Sequence, residues 1–193
     1  MKSLAIPRAA AVLALVTGLT LSVPARAADY EIDVSHAFIQ FRISHLGYSV
    51  LTGRFNQFSG KFTWDAANPQ ASTIKVDVET ASIDSNWAER DKHVRGEDFL
   101  HVEKFPQATF TGTKYNGDAK TGKMEGTLTL HGVTKPITLD VEFIGEGPDP
   151  WGGHRAGFKA KTTLRRADFG MTYQLGPTAE TMEFDLFVEG IRK

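Results

Sequence analysis

The chain has no cysteine in 193 residues. No disulfide can cross-link it, so its stability must come from packing and hydrogen bonding. It carries no strong excess of charge of either sign, with 22 Lys+Arg against 23 Asp+Glu. Such a balance gives no electrostatic footprint for nucleic acid and none for anionic headgroups as the main partner. No internal repeat, low-complexity tract or interdomain linker interrupts it. The sequence also lacks a G-x-S-x-G elbow, a P-loop and a G-x-G-x-x-G turn. Six histidines are present, yet none forms an H-x-H or H-x-x-x-H pair, and no carboxylate sits at a zinc-motif spacing. Metal chemistry is therefore not expected.

One long apolar run does occur, at the N-terminus. Lys2 and Arg8 precede residues Ala9 to Val23, and Pro24 leads into Ala25-Arg26-Ala27. A basic start, an apolar stretch and an A-x-A site together read as a cleaved export signal over residues 1–27. The run is short for a membrane span, and no cysteine follows it to carry a lipid anchor. Removing this segment leaves 166 residues with 19 Lys+Arg and 23 acids, a formal charge of −4. That is enough for one domain, residues 28–193, with a sizeable core. The expected location is the bacterial periplasm.

What remains is alternation. Ile39-Phe41-Ile43, Phe58-Gly60-Phe62-Trp64 and Phe184-Leu186-Val188 place apolar residues at every second position, with polar residues between them. Eight such runs lie near His36–His45, Gly53–Trp64, Thr73–Ala81, Gln107–Tyr115, Lys123–His131, Lys135–Gly145, Arg155–Arg165 and Thr181–Gly190. Asn68-Pro69, Asn116-Gly117-Asp118, Gly132-Val133-Thr134 and Gly147-Pro148-Asp149-Pro150 punctuate them. Only Asp84 to Lys104 breaks the rhythm. There Ser85 or Asp84 is placed to cap a short helix at Asn86–Arg90, Gly96 interrupts it, and Phe99 and Val102 suggest a further turn.

Eight antiparallel runs with short links fit an all-β, eight-stranded antiparallel lipocalin-like barrel, closed so that no edge is exposed. A barrel of that size can be filled by side chains or can hold one small ligand. Gly60, Gly112, Gly126, Ala156 and Ala160 share the inward register with Phe58, Phe62, Phe110, Leu128 and Phe158. Small residues beside large ones mean either interdigitation or space kept open, and the pattern alone leaves both readings standing. Phe55, Phe187 and Trp151 fall outside the inward register or in a loop.

Ordered motifs carry a resemblance. They begin with Tyr30-Glu31-Ile32-Asp33, Ser35-His36, Ile39-x-Phe41-x-Ile43-x-His45-x-Gly47, Gly53-x-Phe55 and Phe58-x-Gly60. Ala81-Ser82-Ile83-Asp84, Arg90-Asp91-x-His93, Asp98-Phe99 and Phe105-Pro106 follow. The run Gly126 to Pro136 and Arg166-x-Asp168-Phe169-Gly170-Met171 complete the set. In this order the chain resembles the YceI-like family, periplasmic polyisoprenoid-binding proteins with a lipocalin-like barrel. Val94, Gly96 and Leu100 depart from the usual Leu, Ser and Phe.

The resemblance implies a deep apolar interior that binds a long isoprenoid, an isoprenoid quinone or a similar lipid for transport, storage or stress protection. It implies no catalysis, no metal and no cofactor. The partner would be that lipid, with no nucleic acid, no stable membrane insertion, and a homodimer as an option. Candidate wall residues are Ile39, Phe41, Ile43, Phe58, Phe62, Phe110, Leu128, Leu130 and Phe158. Trp87, Phe99, Phe169 and Met171 are candidates near the helical segment and the last motif. His45, His93 and Arg95 are the candidates for a polar mouth, where a guanidinium could pair with a phosphate or a quinone oxygen. Surface pairing competes with that role for each of them. If the barrel instead hosts an enzyme or a scaffold, His45 is the first residue to test, since it ends the inward stripe of its strand.

Overall fold

The computed structural model describes residues 27–193, so all but the last residue of the expected leader lies outside the described residues. Strands β1 (Ala28–Ile32), β2 (Phe38–His45), β3 (Ser49–Phe55), β4 (Phe58–Trp64), β5 (Ile74–Glu79) and β6 (Ile83–Asp84) come first. Helix α1 (Ala88–Arg95) follows. The chain then continues as β7 (Gln107–Gly117), β8 (Thr121–Leu130), β9 (Val133–Pro148), β10 (His154–Arg165) and β11 (Thr181–Arg192).

These strands build eight staves. Tyr30 pairs with Phe62 and Ile39 with Phe55, so β1 and β2 form one interrupted stave beside another made of β3 and β4. Similarly β5 pairs with β4 and β6 with β3, giving a third interrupted stave. The meander β7 to β11 supplies five unbroken ones, and β1 and β2 pair with successive parts of β11 to complete the circle. The fold is thus all-β: a closed, eight-stranded antiparallel barrel with one short helix after the third stave. At its lower end closure is complete through β1, which joins β4 to β11. At the upper end β2, β3 and β6 form a three-stranded flap carried by β11.

The breaks reset the inward register. Gly53 and Phe55 face in, Asn56-Gln57 leave the ladder, and Phe58, Gly60, Phe62 and Trp64 face in again. Read as one run, the segment put Phe55 outside. The two-residue break brings it inside, half-buried, with its ring centroid 6.0 Å from that of Phe41. Phe187 does face outward, opposite Phe38. Trp151 is 77% exposed in the β9–β10 turn, under the Arg155 guanidinium at 5.5 Å.

The helix also differs from expectation. It starts at Ala88, with Trp87 at the N-cap position and no side-chain cap. Ser85 is engaged elsewhere: its N–H and hydroxyl both donate to the buried carboxylate of Asp91. Gly96 ends the helix, its N–H donating to the His93 carbonyl, and Phe99 to Val102 form no second helix. His131 and Gly132 both take positive φ, 51° and 74°, which suits the tight β8–β9 reversal.

The glycines do not keep a void open. A Cβ on Gly60 would lie 2.5 Å from the Lys75 carbonyl oxygen, and one on Gly126 would lie 2.2 Å from that of Thr111. A Cβ on Gly112 would strike Met124 at 2.7 Å. These are sites of close strand approach and coiling, helped by a bulge between Gly112 and Lys114.

Candidate functional site

The lower end of the barrel is plugged. Trp64, Phe143 and Phe158 pack ring against ring at centroid distances of 4.9 to 5.5 Å, and Tyr30 stacks on Phe62 at 4.9 Å. A bulge at Gly157/Phe158 interrupts the β9–β10 register. Beyond it, Glu146 accepts hydrogen bonds from the Tyr30 hydroxyl at 2.7 Å and the Trp64 indole at 3.2 Å, with His154 at 3.1 Å. Burial, then the bond to Glu146, pushes the Tyr30 phenol well above its ordinary pKa, so it stays a donor.

Above this plug the barrel is hollow. A cavity of about 750 Å³ runs up to the end where the β2–β3 hairpin, α1 and the segment before β11 meet. This volume lies in the range of sites that enclose small-molecule ligands. Ile39, Phe41, Ile43, Phe58, Phe62, Phe110, Leu128, Leu130 and Phe158 all line it, as do Phe99 and Met171. So do His45 and His93 at the mouth. Ala160 faces the cavity, whereas Ala156 is packed in the core below.

Three candidates stand elsewhere. Trp87 is 61% exposed outside the wall. Phe169 is fully buried in the core with Phe41 and Ile83 and does not reach the cavity. Arg95 turns away from the mouth: Nε donates to the Ala81 carbonyl at 2.8 Å and an Nη donates to that of Ile83 at 2.6 Å. It stitches the helix to the outer edge of β6, whose other edge is paired with β3.

Two arginines that the sequence did not single out do line the cavity. Arg90 holds Ser85 through Nε to the hydroxyl at 2.7 Å and through an Nη to the carbonyl. Arg166 is buried, and burial pulls its pKa below the ordinary guanidinium value. Its bonds go to backbone carbonyls: Ala179 at 2.9 Å and Tyr173 at 3.2 Å, with a longer one to Met171 at 3.4 Å. It pins the segment 171–179 over the cavity. Its signal was the Arg166-x-Asp168-Phe169-Gly170 motif, whose arginine falls at the end of an inward stripe.

Among the described residues, no Asp, Glu or Lys lines the cavity. His45 makes no side-chain hydrogen bond that would orient it as a base, and His93 meets Asp98 at 3.3 Å on the exposed side. At the lower flank Asp33, His36 and Glu189 lie close enough together to ligate an ion. Arg155 already bonds both carboxylates there, at 2.6 Å to Asp33 and 2.5 Å to Glu189, and reaches Asp149 at 2.9 Å. The cluster is an arginine-centred clamp between β10, β11 and the β1–β2 break.

A one-ended barrel around a carboxylate-free apolar cavity defines a binding-domain fold. The YceI-like domain model matches residues 30–189, and the chain belongs to the YceI-like family. A UPF0312 protein of Shewanella sp. (strain W3-18-1) is 53% identical over 189 residues, covering 94% of this chain and 97% of its own. The YceI protein of Campylobacter jejuni is 32% identical with a TM-score of 0.70, over 78% of this chain and 90% of that one. A polyisoprenoid binding domain from Saccharophagus degradans has a TM-score of 0.65 over 87% of this chain and all of its own, at 18% identity, and so shares the fold.

Proposed function

We propose that this protein is an exported, non-enzymatic carrier that holds one long apolar chain, an isoprenoid or similar amphiphile, inside the barrel. The observation that carries this reading is the cavity of about 750 Å³ with no carboxylate and no lysine on its wall. Such a wall favours any methylene group that leaves water by roughly 0.8 kcal/mol. The structural likeness to a polyisoprenoid binding domain supports the same class of ligand. Lys2, Arg8, the apolar run and Ala25-Arg26-Ala27 support export to the periplasm. Transport, storage and stress protection are all uses such a carrier serves.

Capacity sets a limit. At roughly 30 Å³ per water-sized group, the cavity accepts about 25 methylene-sized groups, or about five isoprene units. A barrel about 25 Å tall imposes a similar bound. A chain of eight units would leave part of itself at the mouth. Native mass spectrometry of gently purified protein, with organic extraction, tests the reading. A single extractable apolar ligand per chain is expected; repeatedly empty protein that also refuses added apolar chains would refute it.

A further inference from the structure

Ten large apolar side chains stand exposed among the described residues, and four of them lie on the hairpin tip and the segment before β11, at the cavity's mouth. Leu46, Tyr48 and Val50 form the β2–β3 hairpin tip, at 57%, 88% and 64% exposure. Tyr173, in the segment before β11, is 42% exposed. Leu46 and Tyr173 also line the cavity, so its apolar wall continues out onto the rim.

Charge is missing from the hairpin and from the segment before β11, while α1 beside them carries exposed Glu89 and Lys92. Residues 44–52 and 171–179 contain no Asp, Glu, Lys or Arg. Eighteen residues at this chain's average of 23% charged would hold about four. Turns at the opposite end do carry charge, with Asp65, Asp118, Lys120 and Asp149. Aromatic and aliphatic side chains on an uncharged loop favour the boundary between headgroups and acyl chains, where tyrosine and tryptophan sit well.

We infer that the mouth is a reversible docking surface for a neutral lipid bilayer, which lets an apolar chain pass between membrane and cavity without crossing water. The inference rests on the cavity's being a lipid site. Docking is by insertion of the hairpin tip and not by charge. Binding to phosphatidylcholine vesicles is therefore insensitive to salt, in contrast to a polybasic segment.

Flotation with phosphatidylcholine vesicles tests this, run beside uptake of the apolar fluorophore N-phenyl-1-naphthylamine. Wild-type protein is expected to float equally at low and high salt. Tyr48→Ser with Val50→Ser, both outside the cavity wall, should cut vesicle partitioning at least tenfold while probe uptake stays unchanged. Wild-type protein that takes up the probe yet does not float overturns docking and leaves the carrier reading intact. Failure to take up the probe strikes the carrier reading, and docking falls with it. A dimer in vesicle-free solution that the double substitution converts to monomer also overturns docking, because it assigns the rim to a second copy of this chain.

Discussion

At the residue scale, a tight side-chain constraint is the meeting of Gly53 and Phe41. A Cβ on Gly53 would come within 2.3 Å of the Phe41 ring and 3.0 Å of the Asp84 carbonyl oxygen. Gly53→Ala must displace a ring that is itself buried, so a loss of about 1–3 kcal/mol is expected by urea denaturation. Phe41→Leu in the same chain should recover part of it. Asp91 is the corresponding polar constraint. It is buried and satisfies both the N–H and the hydroxyl of Ser85, to which Arg90 is also bound. Asp91→Ala leaves those donors unpaired, and about 1–3 kcal/mol of stability should be lost. Because α1 closes part of the mouth, faster release of a preloaded apolar probe in stopped-flow fluorescence should accompany that loss.

At the element scale, most of the barrel was legible in period-two alternation, because each stave has one wet and one apolar face. Five staves were read nearly whole. The three broken ones were not, since a break of two residues such as Asn56-Gln57 leaves alternation visible on both sides while shifting its phase. Unbroken alternation therefore puts Phe55 outside, and β1 is too short to stand out although Tyr30 and Ile32 alternate with acids. Thirteen of the sixteen candidate site residues line the cavity, and ten of these sit on strands, where inward register is almost equivalent to facing the hollow; His93, Phe99 and Met171 came from the motifs. Arg95 and Trp87 lie off the wall because the charged α1 segment gives no alternation to orient them, and Phe169 because it packs into the core after β10. Arg90, three to five residues away on the same short helix, points where Arg95 was expected to point. Arg95→Ala should free the Ala81 and Ile83 carbonyls at the edge of β6. Its expected signature is a lowered Tm with probe affinity unchanged, whereas a ligand-binding role would lower affinity.

At the scale of the whole molecule, the cavity and the acid response are separable. Ala160→Trp inserts a bulky ring from β10 into the middle of the hollow. It should shorten the longest alkyl chain bound in a competition series, while chains short enough to fit above it still bind. Acid acts elsewhere. The Ser35 hydroxyl, then Arg155 and His36, hold the Asp33 carboxyl well below the usual carboxylate range. Asp77, Asp84, Asp118 and Asp149 are lowered too, by hydrogen bonds from Thr109, Asn86, Thr121 and Gly153 respectively. A depressed folded-state pKa stabilises the fold fully above the unfolded value near 4 and loses that contribution as pH falls through the folded value. Tm should therefore stay level from neutrality to about pH 4 and fall below it. Asp33→Asn should lower Tm at neutral pH and flatten the acid limb, so that the two curves converge at the acid end.

The three breaks have a mechanical consequence. They fall in neighbouring staves, so one side of the wall is laid in short courses while β7 to β11 run unbroken around the other. The container is stiff on one flank and compliant on the other. Short ladders open with little cooperative cost, and the upper flap of β2, β3 and β6 joins the rest of the sheet only through β11. Amide hydrogens of β2 and β3 should exchange with deuterium far faster than those of β8 to β10, and a bound chain should slow the first group selectively. A wall that yields on one side can close around tails of unequal girth, so the barrel would sort its cargo by length more strictly than by shape.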